Sequence, residues 1–365
     1  MAAPAPRLGL KTSLAFELLR SYKRQEAILH RLTYLLWECT LRCDLECEHC
    51  GSDCHSSSAQ VDPPLGSLLA VLEEIRGRYK PGEITVGLTG GEPLLRADLE
   101  ACGAAIRDLG FPWGMVSNGY SMTEPRFAGL LEAGLRSLSL SLDGLEASHD
   151  RLRGRRGAFG RTLGAIERAS AAAASKGLAF DVVTCANTAN LEELARLRDL
   201  LMEKGVRRWR IFTIFPRGRA EGRAWLFLSG AEYRRLLDTI ADFRRLGGIE
   251  VDYACEGFLG GYEGRVRGYY YFCRSGLNFA SILADGSITG CASMRRDFIQ
   301  GTIGRDSFLK VWDQGFGALR DRSWTKRGSC ASCGQYRYCQ GNGLHLWHEG
   351  GEGPMRCNYR ELYPG

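Results

Sequence analysis

Between residues 31 and 215, short runs rich in β-branched, aromatic and leucine residues alternate with longer stretches of helical period, and that alternation leaves few folds open. Strands are expected at 31–37, 83–88, 113–117, 137–142, 179–185 and 208–215, with helices between them at 68–79, 94–109, 124–132, 157–176 and 191–204. A strand–helix repeat at this spacing predicts a parallel sheet covered by helices. Six strands are too few to close an eight-stranded barrel. The expected fold is therefore α/β, a partial (β/α)6 TIM-like barrel with its functional loops at the carboxyl ends of the strands. A leading helix over 11–30, with apolar Leu14, Phe16, Leu18 and Leu19, is expected to pack on this core with no separate leader-binding domain before it.

The loop after the first strand carries Cys43, Cys47 and Cys50, spaced C-x3-C-x2-C. Three thiols in one short loop can converge on a metal centre, yet a structural zinc site and an ordinary 4Fe-4S cluster each take four protein ligands. One position is left for a ligand that is not protein. The alternatives are a zinc knuckle borrowing His49 or His55, or buried thiols.

Composition narrows the setting. Hydrophobic residues at 44% and charged residues at 25% are those of an ordinary globular protein. The net charge of +6 is spread over scattered pairs such as Arg207-Arg208 and Arg244-Arg245, which argues against a nucleic-acid surface. No apolar stretch is long enough for membrane insertion. A cytoplasmic address follows, and there clustered cysteines favour metal or catalysis over disulfides.

The other strand ends carry Thr89-Gly90-Gly91-Glu92-Pro93, Ser117-Asn118-Gly119 and Ser141-Leu142-Asp143-Gly144, the last followed by Arg153. Taken with the cysteine triplet, their order resembles the radical S-adenosylmethionine (SAM) superfamily. The resemblance implies that Cys43, Cys47 and Cys50 hold a 4Fe-4S cluster whose fourth iron binds SAM. It implies that Gly90, Gly91 and Glu92 meet the SAM amino group, with Ser117 and Asn118 in the adjoining segment. Ser141 and Arg153 would grip the SAM carboxylate, and Asp143 would orient the ribose. The Pro216-Arg217-Gly218-Arg219-Ala220 ending recurs in superfamily members with a longer C-terminal domain, and Arg217 and Arg219 are expected at the barrel rim. Cys39, Cys102 and Cys185 read as core thiols.

A second cysteine field follows residue 268. Cys273 and Cys291 flank an Ala284-Asp285-Gly286-Ser287 turn, which predicts a β-hairpin with a ligand near each end. Cys330, Cys333 and Cys339, with Cys357 further on, form a four-thiolate set for zinc or iron–sulfur. The field resembles the SPASM domain, an auxiliary-cluster extension of radical SAM enzymes that act largely on peptides and proteins. One position departs from the pattern, since Gly343 stands where that family has a cysteine. The resemblance implies an outer [4Fe-4S] cluster on Cys330, Cys333, Cys339 and Cys357. An inner one would use Cys273, Cys291 and Cys255, with an iron open to substrate, water or a substitute such as His345. Without that inner cluster the hairpin is scaffold.

The expected organisation is an N-terminal helical extension (1–30), the core (31–227), a bridging helix and linker (228–268) and the SPASM-like domain (269–365). The function implied is reductive cleavage of SAM to a 5′-deoxyadenosyl radical that abstracts hydrogen from a peptide or protein substrate, giving an oxidative modification such as a crosslink. An external electron donor such as flavodoxin or ferredoxin would be required. The alternatives are dehydrogenation of a small molecule, such as a sugar alcohol or a tetrapyrrole precursor, and a non-catalytic zinc-binding interaction protein.

Overall fold

The computed structural model describes residues 9–254, 257–294, 298–348 and 351–364. Six parallel strands follow one another in chain order: β1 (Tyr34–Thr40), β2 (Thr85–Gly90), β3 (Trp113–Ser117), β4 (Leu135–Ser141), β5 (Ala179–Ala186) and β6 (Arg208–Thr213). The helices between them are α2 (Leu65–Arg76), α3 (Leu99–Asp108), α4 (Glu124–Glu132), α5 (Glu146–Arg153), α6 (Ala158–Lys176) and α7 (Leu194–Glu203). Their apolar stripes bury Leu68, Leu72 and Ile75 of α2 and Leu99, Cys102 and Ile106 of α3, in one core with the sheet residues Leu35, Val86 and Leu138. Trp37, Trp113 and Trp209 are fully buried in the same core. Each of these aromatic side chains removes a large apolar area from water, so they dominate its stabilisation.

The sheet is wider than the expected barrel. A seventh parallel strand, β7 (Glu250–Tyr253), pairs with β6 after α8 (Gly230–Leu246), in the stretch expected to bridge two domains. On the other edge, the expected hairpin forms from β8 (Phe279–Ile282) and β9 (Ser287–Thr289), with β10 (Ile299–Thr302) beyond it. Its first strand pairs in parallel with β1, Tyr34 opposite Phe279 and Trp37 opposite Ile282. The C-terminal cysteine field is thus joined to the core by main-chain hydrogen bonds and continues the same ten-stranded sheet. Pairing covers the edge of β1, which would otherwise present unpaired backbone groups.

The leading helix, α1 (Leu10–Leu29), does not dock where expected. Its buried side chains, Phe16 and Lys23, face the C-terminal region: Phe16 lies between Phe258, Tyr270 and Tyr338, and Lys23 Nζ donates to the Tyr338 carbonyl at 2.8 Å. Leu10, Leu14, Leu18 and Ile28 are exposed. The helical period was legible in the sequence, but the buried face follows the aromatic cluster supplied by residues more than 200 positions away. Among the described residues no helix is long and apolar enough to cross a membrane.

Candidate active site

Strand ends converge on the loop that follows β1. The Gly91 amide donates to the Thr40 carbonyl at 2.7 Å, and the Glu92 amide donates to the Arg42 carbonyl at 2.8 Å. This contact explains both glycines. A Cβ on Gly90, whose φ is +139°, would lie 2.0 Å from the Thr40 carbonyl oxygen, and one on Gly91 would lie 2.2 Å from that of Arg42. Only residues without a side chain let the two strand ends close on each other. Close approach to a ligand, the expected reason for the pair, is thus preceded by close approach to the cysteine loop itself.

Glu92 is fully buried. It accepts hydrogen bonds from Ser117 Oγ at 2.8 Å, the Asn118 amide at 2.7 Å and the Leu94 amide at 3.1 Å. Burial pushes its carboxyl up to about 7, and the three donors offset only part of that. Asn118 carries the link onward, since its Nδ2 donates to Asp44 Oδ1 at 2.8 Å and lies 3.8 Å from Cys43 Sγ. The GGEP and SNG segments therefore brace the cysteine loop through Glu92 and Asn118.

The next side of the site comes from α5, a helix absent from the periodicity of the sequence because Glu146–Arg153 is too polar to show an apolar stripe. The Glu46 and Glu48 amides donate to the Arg153 and Leu152 carbonyls at its carboxyl end, at 3.2 and 2.8 Å. Arg153 divides its fork. Nη2 pairs with Asp143 Oδ2 at 2.6 Å, Nη1 lies 3.6 Å from Cys47 Sγ, and Nε is buried without a hydrogen-bond partner. Burial acts to raise the Asp143 carboxyl, but Arg153, His49 and His149 together hold it below its ordinary value. Asp143 Oδ1 also accepts from the Cys185 amide at 2.7 Å. Ser141 is buried at the end of β4. Cys185, expected in the core, is only half-buried, and it belongs with His49 and Asp143 to a group of ligand atoms within 4.8 Å of one another. Arg153 already neutralises Asp143 there, so the trio is poorly suited to a cation.

The last side is the Pro216–Ala220 segment after β6. Arg219 donates to the Cys47 carbonyl at 2.8 Å and the Cys54 carbonyl at 2.9 Å, and its amide donates to the Cys50 carbonyl at 3.0 Å. Arg217 donates from Nε to the His345 carbonyl at 3.1 Å and from Nη2 to the Trp347 carbonyl. These arginines do not merely cap a rim; they tie the cysteine loop to the C-terminal region. Sequence order gave no sign of it, because the partners are 128 to 172 positions apart.

Burial pushes the Cys43 thiol up to about 12 and raises that of Cys47, while a hydrogen bond from the Cys54 thiol lowers Cys50. Metal binding must displace the protons on Cys43 and Cys47, which Arg153 and Arg219 favour by placing positive charge beside the loop. Three convergent thiols, together with the buried and unpartnered His49 Nδ1, Arg153 Nε and Arg219 Nη2, fit a bound cluster and an anionic cofactor group.

In the C-terminal field, Cys330, Cys333, Cys339 and Cys357 line one small cavity with Phe258, Tyr336 and Tyr359. A single zinc with bonds of about 2.3 Å would bring its sulfurs to about 3.8 Å of one another. Among the described residues no three of these thiols lie within 4.8 Å. That spread suits a cluster in which each thiolate binds its own iron. Cys273 is buried, and burial acts to raise its thiol, but Arg322 and donors from Leu344 and Ser275 bring it down to about 7. Cys291 shares the Ser275 contact and feels the charge of Cys273. Cys255 lies outside the described residues. The larger clefts lie elsewhere, at the amino ends of β4 to β6 around Asp181, Arg208 and Glu250, away from every cysteine of the site.

Comparison with known proteins agrees with this geometry. Residues 37–201 match the radical SAM superfamily, and residues 273–334 match SPASM, an iron–sulfur cluster-binding domain. The AdoMet-dependent heme synthase of Methanosarcina barkeri is 29% identical over 329 residues, covering 84% of the chain and 90% of that protein. The pre-heme d1 synthase of Dinoroseobacter shibae is 27% identical over 339 residues, covering 84% and 80%. Among solved structures, Streptococcus suis SuiB bound to S-adenosylmethionine superposes with a TM-score of 0.69 at 19% identity, covering 95% of the chain and 82% of SuiB. The anSMEcpe structure with AdoMet and Cp18Cys peptide gives a TM-score of 0.70 at 18% identity, covering 92% and 96%.

Proposed function

The chain belongs to the radical SAM superfamily and carries a C-terminal SPASM domain, and from that premise we propose that it is an oxidoreductase acting on a small molecule of the tetrapyrrole class. The observation that carries this reading is the reach of the sequence match. Proteins named as synthases of heme and of pre-heme d1 align with 84% of the chain, well beyond the core. The peptide or protein substrate expected from the SPASM resemblance is supported among the comparisons only by likeness of fold at 18–19% identity, which does not bear on substrate.

Cys43, Cys47 and Cys50 would hold the SAM-binding 4Fe-4S cluster, and Gly90, Gly91, Glu92, Ser117, Asn118, Ser141, Asp143 and Arg153 would surround SAM. Cys330, Cys333, Cys339 and Cys357 would hold an outer auxiliary cluster, and Cys273 and Cys291 an inner one. When bound, the cluster and SAM supply reductive cleavage of SAM and hydrogen abstraction from the substrate. The chain supplies position and charge. Arg153 and Arg219 offset the thiolate charge, Glu92 and Asn118 fix the loop, and Asp143, held ionised by Arg153, presents an acceptor at the floor of the site. An external one-electron donor of flavodoxin or ferredoxin type would deliver the reducing electron. We place the protein in the cytoplasm, where cysteines stay reduced and available to bind metal; none of the thirteen described cysteines is in a disulfide.

Arginine–aromatic pairs on the segments that follow β3, β4 and β6 suit a flat, acidic substrate. Arg155 and Arg161 lie 4.2 and 4.6 Å from the Tyr120 ring, and Arg151 lies 4.5 Å from that of Trp225. Heme-type tetrapyrroles are flat and carry carboxylate side chains, and arginine forks beside aromatic faces can take both features. The test is 5′-deoxyadenosine release by the anaerobically reconstituted enzyme with SAM and dithionite, with either carboxylated iron tetrapyrroles or a peptide panel added. Several-fold stimulation by a tetrapyrrole alone is expected. Stimulation by peptides alone would reject the proposal.

A further inference from the structure

Gly343 sits at the turn before the last buried segment, and the space in front of it is filled. Its φ of −75° is open to any residue, so the backbone does not require glycine. A Cβ there, however, would lie 2.6 Å from His345 Cε1 and 2.8 Å from its Nδ1. The imidazole of His345 occupies the direction in which a side chain at 343 would project. Between the two, the Leu344 amide faces Cys273 and helps to lower its thiol. Arg217 fixes the same turn by donating to the His345 carbonyl at 3.1 Å.

His345 is 9% exposed, and its ring rests edge-on against Phe215 at 5.1 Å. Among the described residues no hydrogen bond to its ring nitrogens is found, which leaves one of them open to a ligand. Phe215 in turn lies 3.2 Å from where a Cβ on Gly51 would stand, beside Cys50. The ring therefore lies between the cysteine loop and the Cys273 turn, in a segment clamped from both sides. A buried neutral imidazole with a free nitrogen is a competent iron ligand.

We infer that His345 is the third protein ligand of an inner iron–sulfur centre held by Cys273 and Cys291, standing in for the side chain that Gly343 lacks. This rests on the reading that those two cysteines hold such a centre.

The test uses the full chain carrying Cys43→Ala/Cys47→Ala/Cys50→Ala, reconstituted anaerobically so that only C-terminal iron remains. About eight irons are expected at about four per cluster, and pulsed EPR of the reduced protein should show the strong 14N coupling of a coordinated imidazole. His345→Ala should abolish that coupling. The double variant Gly343→Cys/His345→Ala should keep the iron of the inner centre without the nitrogen signal, which also shows that loss of the signal is not misfolding. If the inner iron is present, and is lost in Cys273→Ala/Cys291→Ala, but no imidazole coupling appears or it survives His345→Ala, the ligand assignment is overturned while the inner centre stands. If Cys273→Ala/Cys291→Ala loses no iron, the inner centre itself is absent and the assignment falls with it.

Discussion

Around Cys43, Cys47 and Cys50 the backbone is held by groups arriving from the ends of β2, β3 and β6 and from α5. Around Cys330, Cys333 and Cys339 it is held mainly by its own short turns. In the first region, carbonyls and amides of the loop meet Gly91, Glu92, Leu152, Arg153 and Arg219. In the second, the Cys330 amide reaches Arg327, Cys333 reaches Cys330, and Cys339 reaches Gln335, all within four residues. Long-range support there comes from single contacts, such as Arg360 Nη2 to the Ser329 carbonyl at 3.0 Å and Lys23 to Tyr338. The contrast separates two ways of building a metal site. One is shaped by a folded sheet before metal arrives; the other takes its shape with the metal.

The largest effect should come from removing the ligands of the second kind. Cys330→Ala/Cys333→Ala should lower the melting temperature of the reconstituted protein by more than about 10 °C, because structural metal binding can contribute on the order of 10 kcal/mol to local folding. It should also expose the chain beyond residue 320 to protease. The Cys43→Ala/Cys47→Ala/Cys50→Ala variant should shift melting by only a few degrees, since the loop keeps its protein partners. Equal shifts in the two variants, by differential scanning fluorimetry under anaerobic conditions, would end the contrast.

Breaking the supports of the first region, without touching a cysteine, comes next. Gly90→Ala forces a Cβ toward the Thr40 carbonyl at a φ of +139°. It should cost about 3 kcal/mol, from strain plus displacement of the loop. Arg219→Ala removes three loop contacts at once, to Cys47, Cys54 and Asp53. About 1.5–3 kcal/mol is expected for loss of hydrogen bonds to a charged group. In both variants chemical denaturation should report the loss, and iron bound by the loop should fall while the C-terminal iron stays. Unchanged loop iron in Arg219→Ala would show that the loop does not depend on its clamp.

The strands and the order of motifs along them were legible because short apolar runs and glycine-rich strand ends are local signals. So were Cys43, Cys47 and Cys50, and the hairpin between Cys273 and Cys291. What was not legible depends on contacts between distant positions. Helix α5 hides because its eight residues bury His149, Leu152 and Arg153 rather than an apolar stripe. The face that α1 buries is chosen by Phe258, Tyr270 and Tyr338. The pairing of β8 with β1 joins residues 245 apart, a connection no periodicity reports. The Pro216–Ala220 segment placed Arg217 and Arg219 at the barrel rim, but what they hold there is set by carbonyls that the fold brings beneath them.

Glu92 offers the finest test of the comparison, because it braces the preformed loop at an electrostatic cost. Its carboxyl is raised from an ordinary 4.5 to about 7 by burial. A raised folded-state value means that the stability it contributes is fully present below about pH 4.5 and is lost as pH rises through about 7. Glu92→Gln keeps an acceptor for the Asn118 amide and removes the titration. Relative to wild type, the variant should gain stability between about pH 4.5 and 7 and hold a constant advantage above it, on the order of 3 kcal/mol for a shift of this size. Urea denaturation of the two proteins at several pH values measures the difference. A difference that does not vary with pH would mean that Glu92 stays ionised across the range, and that its hydrogen bonds to Ser117, Asn118 and Leu94, rather than its burial, decide how the cysteine loop is held.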